Sequence, residues 1–212
     1  MKSNVQVIYI HGAEIFATHE EYIKYLKQSS VKLSSSRKWN REYLQEELEG
    51  ITEFYCPNMP RGNANPYYPE WEIFFSKLLE ELNENIVLVG CSIGGIFLAK
   101  YLSEHRIDNN IVSLYLVASP YEREDGAEEY IQRQFELRED LKHIYNNTNK
   151  ITLLFSKDDD CVPISNINKY KQELPNAKYE VYESKNGHFV VEEFPELIEM
   201  IKEDIEEFEK KR

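Results

Sequence analysis

A pentapeptide with the spacing G-x-S-x-G, residues 90–94, follows an apolar run at 86–89 that has the length and β-branched content of a buried strand. A helical pattern begins directly after it. In such a sharp strand-to-helix turn the serine takes a strained backbone conformation, and glycines on both sides remove Cβ clashes. The pattern therefore predicts that Ser92 holds its Oγ above the strand end as a nucleophile, whereas the alternative is a Gly/Ser loop that only connects two elements.

A serine hydroxyl attacks at neutral pH only when a base takes its proton, and the usual base is a histidine oriented by a carboxylate. The chain has five histidines. His188 lies in the loop after the last predicted strand and can project onto the same sheet edge as Ser92, so we predict it as the base. His11 follows the first predicted strand, where a His-Gly pair more often shapes the loop. The other three fall within predicted helices or at their ends.

The orienting carboxylate has several candidates. Asp158, Asp159 and Asp160 all follow the penultimate predicted strand, so their position selects the loop and leaves the residue open. A run of three acids is ordinarily a solvated turn, and we expect two of them to be only that. Glu122 and Asp125, after the preceding strand, form a second candidate site. The run lacks the D-x-[DN]-x-[DN]-G spacing of a calcium loop, so no metal is expected.

Acyl transfer also requires a site for the negative charge that develops on the substrate oxygen. Two backbone N–H groups commonly meet that charge. The amide after the nucleophile, that of Ile93, is one candidate. The second lies in the loop after the first predicted strand, at Ala13 or Glu14, and Gly12 lets this loop come close to the nucleophile.

Strand and helix patterns alternate along the whole chain, which predicts one α/β domain over residues 1–212. The expected fold is a three-layer α/β/α sandwich with a mainly parallel sheet of about six strands. Right-handed crossovers place the loops after all strands at one edge, where ligands bind in open α/β sheets. The predicted strands are 5–10, 51–56, 86–89, 111–118, 150–156 and 178–182, and the predicted helices are 18–27, 39–48, 68–82, 93–104, 127–145, 165–174 and 195–210.

Composition excludes several classes of partner. The 212 residues carry a formal net charge of −13, which argues against nucleic acid and anionic membranes as partners. Three cysteines without C-x-x-C spacing indicate neither a disulfide framework nor a zinc site, and favour a reducing compartment. The N-terminus has no room for a signal peptide before the first strand, and no apolar segment has membrane-spanning length, so we expect a cytoplasmic protein. The oligomeric state is not readable from the sequence.

Serine, acid and histidine in that order, with G-x-S-x-G after a central strand, resemble the α/β-hydrolase superfamily over nearly the whole chain. Residues 156–163 are similar to that superfamily's small-x-x-D-x-x-V-P pattern, and this register implies Asp159 as the triad acid. Residues 187–189 resemble its G-H-F histidine motif, which implies His188. Residues 11–13 resemble its H-G-x oxyanion loop, which favours Ala13.

Within that superfamily the chain looks like the compact bacterial serine hydrolases, which lack a cap domain. The resemblance implies a minimal six-stranded sheet in which the N-terminal antiparallel strands are missing. One residue departs from the pattern, because Cys91 stands where the motif often has histidine. That position normally points away from the substrate, so we expect catalysis to survive the change.

These residues predict a serine hydrolase that cleaves a carboxylic ester or thioester of a small molecule through an acyl-enzyme, without a cofactor. Ser92 would attack, His188 would relay the proton, Asp159 would orient the imidazole, and the amides of Ala13 and Ile93 would bind the oxyanion. Two alternatives stay open. One is a non-catalytic binding protein on a hydrolase fold, and the other is amide or C–C bond hydrolysis, or acyl transfer, by the same triad.

Overall fold

The computed structural model describes residues 2–16, 18–30, 37–61, 65–121, 134–137 and 140–212. Six strands form one sheet in the order β2-β1-β3-β4-β5-β6, and every neighbouring pair is parallel. The predicted sheet is therefore confirmed, and it contains no antiparallel strand within the described ranges. The strands are β1 (Val5–Ile10), β2 (Glu53–Tyr55), β3 (Asn85–Cys91), β4 (Asn110–Val117), β5 (Ile151–Ser156) and β6 (Lys178–Tyr182).

Burial along each strand follows its place in the sheet. The interior strands β1, β3 and β5 are buried at every residue, because helices cover both faces, and their sequences are correspondingly almost continuously apolar. The edge strands β2 and β6 keep exposed positions. Strand β2 is shorter than predicted because the amides of Ile51 and Thr52 donate to the carbonyl of Leu48 and close a turn.

Helices pack on both faces of the sheet and complete the three layers. A π-helical segment (Trp39–Tyr43) continues into α2 (Leu44–Leu48) and packs on one face with α6 (Pro195–Lys210). The other face carries α3 (Tyr68–Glu81), α4 (Ile93–Glu104), a 3₁₀ helix (Leu141–Asn146) and α5 (Asn166–Glu173). Helix α1 (His19–Gln28) has no buried residue. Across the described segments, no helix combines the length and the apolar character that crossing a bilayer requires.

The helix predicted over 127–145 is not continuous in the part that the structure describes, where residues 134–135 are helical. Residues 136–137 lie outside any helix, and a separate 3₁₀ helix begins at Leu141. The side chain of Asp140 caps this helix by accepting a hydrogen bond from the amide of Lys142, so the chain restarts here instead of continuing one long helix. The remainder of the predicted helix, at 127–133 and 138–139, lies outside the described residues.

Candidate active site

Ser92 occupies the turn between β3 and α4 with a positive φ of 55°, a conformation that residues other than glycine rarely adopt. The neighbouring glycines explain how the chain accommodates this turn. A Cβ atom at Gly90 would lie 2.5 Å from the carbonyl oxygen of Gly94. A Cβ atom at Gly94 would lie 2.1 Å from the carbonyl oxygen of Ile10 on β1. The strained turn predicted from G-x-S-x-G is therefore present. The backbone around it packs too closely for any side chain at Gly90 or Gly94.

Gly94→Ala should lower the free energy of unfolding by more than about 3 kcal/mol, because the new methyl group would collide with backbone that cannot rotate away. Gly50→Ala is the matched control. Gly50 has a φ of +78° but nothing within 4 Å of its Cβ position, so its alanine variant should lose only about 1 kcal/mol to left-handed strain. Urea unfolding followed by circular dichroism measures both. Equal losses in the two variants would contradict the packing argument.

His188 and Asp159 form a hydrogen-bonded pair. The distance from His188 Nδ1 to Asp159 Oδ2 is 2.8 Å, and the Asp159 side chain is only 1% exposed. The second carboxylate oxygen accepts the amides of Cys161 and Val162, each at 2.9 Å. An ionised carboxylate can only accept, so in the neutral imidazole Nδ1 carries the proton of this bond and Nε2 has the lone pair that a base uses. This is the arrangement that a general base needs.

The loop that carries His188 has unusual backbone geometry. Asn186, Gly187 and Phe189 all have positive φ values, between 52° and 75°. Such strain persists only where the surroundings enforce it. The Phe189 side chain is buried among aromatic rings, and its carbonyl accepts a hydrogen bond from Trp39 Nε1 at 2.9 Å. Sequence analysis did not identify Trp39 as a support of this loop, since the two residues lie 150 positions apart.

Asp158 and Asp160 differ from each other. Asp160 is exposed and its carboxylate lies 3.6 Å from the thiol of Cys161, which fits the solvated turn expected for it.

Asp158 is not merely solvated, so the expectation was wrong there. Its carboxylate accepts hydrogen bonds from the hydroxyls of Ser156 and Ser184 and from two backbone amides of the histidine loop. These bonds hold the pKa of the Asp158 carboxyl well below its usual range. Glu122 and Asp125, the second candidate acids, lie outside the described residues.

The loop after β1 lies directly against the nucleophile. A Cβ atom at Gly12 would be 3.1 Å from Ser92 Cβ and 3.7 Å from Ser92 Oγ. Ala13 follows and is half-buried, whereas Glu14 is exposed. Ile93 begins α4, and the first amide of a helix has no partner within the helix and can meet an external oxygen. The structure thus brings both predicted oxyanion segments to the Ser92 turn.

His11 shapes this loop, as its position in the sequence suggested. The residue is buried; its Nδ1 donates to the carbonyl of Gly12 at 2.7 Å, and its Nε2 accepts the amide of Met59 at 3.1 Å. Both ring nitrogens are therefore occupied. Burial lowers the pKa of His11, which favours the neutral imidazole that this pair of bonds requires.

Cys91, the departure from the family motif, lies in the core on the α6 side of the sheet. Burial raises the pKa of its thiol to about 12, so it stays protonated and unreactive. The thiol is near Tyr9, also buried, and the pair packs as core. Cys91 therefore serves as a core residue of the sheet.

Two groups of side chains within the described ranges have donor atoms close enough to share a metal ion: Asp159, Cys161 and His188, and Glu72, Glu104 and His105. In each group, hydrogen bonds or ion pairs between protein side chains already explain why these atoms lie close together. In the first, the imidazole and carboxylate bond each other. In the second, His105 Nε2 lies 2.8 Å from Glu72, and Lys100 lies 3.1 Å from Glu104.

The described residues contain no hydrogen bond between Ser92 and His188. The structure joins His188 to Asp159 and places the Gly12 loop against Ser92. The segments that carry Gly12, Ser92, Asp159 and His188 each follow a strand of one parallel sheet, so they share its carboxyl edge. Catalytic hydrogen bonds are often long in unliganded enzymes and tighten when substrate binds.

An all-parallel, six-stranded sheet between two helical layers, with a serine on a strained turn after a central strand, defines the α/β-hydrolase fold. The chain belongs to the serine hydrolase family, whose model, described as "Serine hydrolase", matches residues 32–202. Strand β1 and the loop with Gly12 precede the matched region. No curated protein matches the chain.

Solved structures share this fold at low sequence identity. The ydeN gene product from B. subtilis has a TM-score of 0.73 and 20% identity, with 95% of this chain and 98% of that chain covered. A meta-cleavage product hydrolase from Pseudomonas fluorescens has a TM-score of 0.65 and 15% identity, with coverage of 97% and 92%. Est1E from Butyrivibrio proteoclasticus, in a structure with ferulic acid, has a TM-score of 0.59 and 14% identity, with coverage of 97% and 88%.

Proposed function

We propose that this serine hydrolase cleaves a carboxylic ester or thioester of a small molecule through an acyl-enzyme intermediate. The observation that carries the proposal is the hydrogen bond between His188 and the buried Asp159 carboxylate, at the same sheet edge as Ser92 on its strained turn. A carboxylate that holds Nδ1 of an imidazole orients the ring and leaves Nε2 to work as the base in a serine hydrolase.

In the proposed mechanism Ser92 Oγ attacks the substrate carbonyl while His188 Nε2 takes the hydroxyl proton. The imidazolium that forms is stabilised by the Asp159 carboxylate, which accepts from Nδ1. The amides of Ala13 and Ile93 donate to the oxyanion. His188 then protonates the departing alcohol or thiol, and water, activated by the same imidazole, hydrolyses the acyl-enzyme and restores Ser92.

An ester or thioester is the favoured substrate class because an alkoxide or thiolate leaves more readily than an amide nitrogen. The net charge of −13 also favours a neutral substrate over a polyanion. The fold itself does not choose the bond, since the structural neighbours include a meta-cleavage product hydrolase and proteins named esterases.

Rapid mixing with p-nitrophenyl butyrate should give a burst of p-nitrophenol, followed by slower turnover, if deacylation limits the rate. The burst should equal the number of sites that a fluorophosphonate labels. A matched set of acetyl to octanoyl esters and thioesters then gives kcat/KM for each bond type and chain length. A folded wild-type protein that neither turns over any of these substrates nor takes the label would contradict the proposal.

A further inference from the structure

We infer that Asp158 is a positioning residue, which locks the loop before His188 and so holds the imidazole against Asp159. Its Oδ1 accepts the amide of Lys185 at 3.1 Å as well as the hydroxyl of Ser156. Its Oδ2 accepts the amide of Gly187 at 3.0 Å and the hydroxyl of Ser184. The inference rests on the proposed function only in so far as it concerns turnover, because the contact itself can be measured without a substrate.

The positions of the hydrogen bonds to the Asp158 carboxylate explain why they would restrain His188. Gly187 immediately precedes His188, so the bond to its amide fixes the peptide that lies one residue before the histidine. On the other side, Trp39 holds the carbonyl of Phe189. The histidine is therefore bracketed by two side chains that belong to distant elements. Because this backbone has left-handed φ values at three positions, it would relax without such external contacts.

Adjacent residues of one turn thus have separate tasks. The Asp159 carboxylate points into the protein and holds the imidazole, whereas the Asp158 carboxylate points to the surface and holds the loop backbone. A single turn after β5 then sets both the position and the orientation of the proposed base. The nearby lysines pair with other acids, Lys185 Nζ with Glu196 at 2.7 Å and Lys157 with Glu183.

Replacing the carboxylate by an amide should break the lock with little change in volume. In Asp158→Asn, the Nδ2 group would face the Gly187 amide or the Lys185 amide, and two N–H donors repel each other. The loop would shift by a fraction of an ångström to relieve this contact. A displacement of about 1 Å at a catalytic group can cost about 10²-fold in rate.

The test compares Asp158→Asn with Asp160→Asn, which removes a neighbouring exposed charge of the same type. Activity is expressed per fluorophosphonate-labelled site, so loss of folded protein does not count. We expect kcat to fall by about 10- to 100-fold in Asp158→Asn, with KM changed by less than about threefold, and wild-type values in Asp160→Asn. Ser184→Ala, which removes one of the four donors and keeps the carboxylate, should lower kcat by only about threefold.

A second measurement needs no turnover. The His188 Nδ1 proton, protected by its bond to a buried carboxylate, should give a resolved low-field proton resonance in the wild type and in Asp160→Asn. In Asp158→Asn this resonance should broaden or disappear. A per-site kcat and a resonance that both match Asp160→Asn would overturn the inference. If the wild type hydrolyses nothing, the proposed function fails and the resonance alone still decides whether Asp158 positions His188.

Discussion

Ser92→Ala should lower kcat/KM for a short p-nitrophenyl ester by about 10⁶-fold and abolish fluorophosphonate labelling. The variant keeps the Gly12 loop and the amide of Ile93, so it can still polarise a carbonyl, but it lacks the atom that forms the acyl-enzyme. The small alanine side chain should also fit the strained turn at little cost, because it removes only the hydroxyl. Steady-state kinetics and intact-protein mass spectrometry measure the two effects.

Ser76→Ala, on α3, is the matched control, since Ser76 Oγ bonds Tyr101 and lies on the helical layer away from the strand ends. It should retain wild-type turnover and a single label per chain. Activity that persists in Ser92→Ala at more than about one per cent of the wild-type value would move the chemistry to another residue.

Asp159→Asn should reduce kcat by about 10⁴-fold while leaving the fold intact. The amide oxygen can still accept from the backbone amides of Cys161 and Val162, so the Nδ2 group is left to face His188. That group can only donate, which forces the proton of the imidazole onto Nε2 and removes the base. Steady-state kinetics over a pH range, with circular dichroism for folding, provide the measurement.

Asp160→Asn serves as the control for this variant too, because it neutralises an exposed neighbour that contacts only the thiol of Cys161 among the described side chains. Three distinct outcomes are expected along one acidic run: a loss near 10⁴-fold at Asp159, a loss of about 10- to 100-fold at Asp158, and none at Asp160. A loss at Asp158 or Asp160 that exceeds the loss at Asp159 would show that the assigned acid is wrong.

The parallel sheet could be predicted because each interior strand is a short apolar run and each connection contains a helical pattern. Burial on both faces makes such strands continuously hydrophobic, and a parallel pair needs a crossover of this length. The strained turn at Ser92 was predictable for a local reason, since only glycines tolerate backbone at 2.1 to 2.5 Å from their Cβ positions. The break before Leu141 was missed because it depends on a local contact, the cap that the Asp140 side chain makes with the amide of Lys142, which the helical pattern does not reveal.

The amino-acid sequence by itself determined the fold class, the turn that presents Ser92 and the three loops that converge at the carboxyl edge of the sheet. These features depend on the local spacing of residues and on the periodicity of apolar positions, both of which can be read directly from the sequence. Spacing alone left three acids open and the family resemblance implied Asp159; the tertiary structure places this acid against His188 and shows what holds that histidine in place. The contacts of Asp158 and Trp39 with the histidine loop join residues from 26 to 150 positions apart, and their geometry arises only when the sheet brings separate loops together.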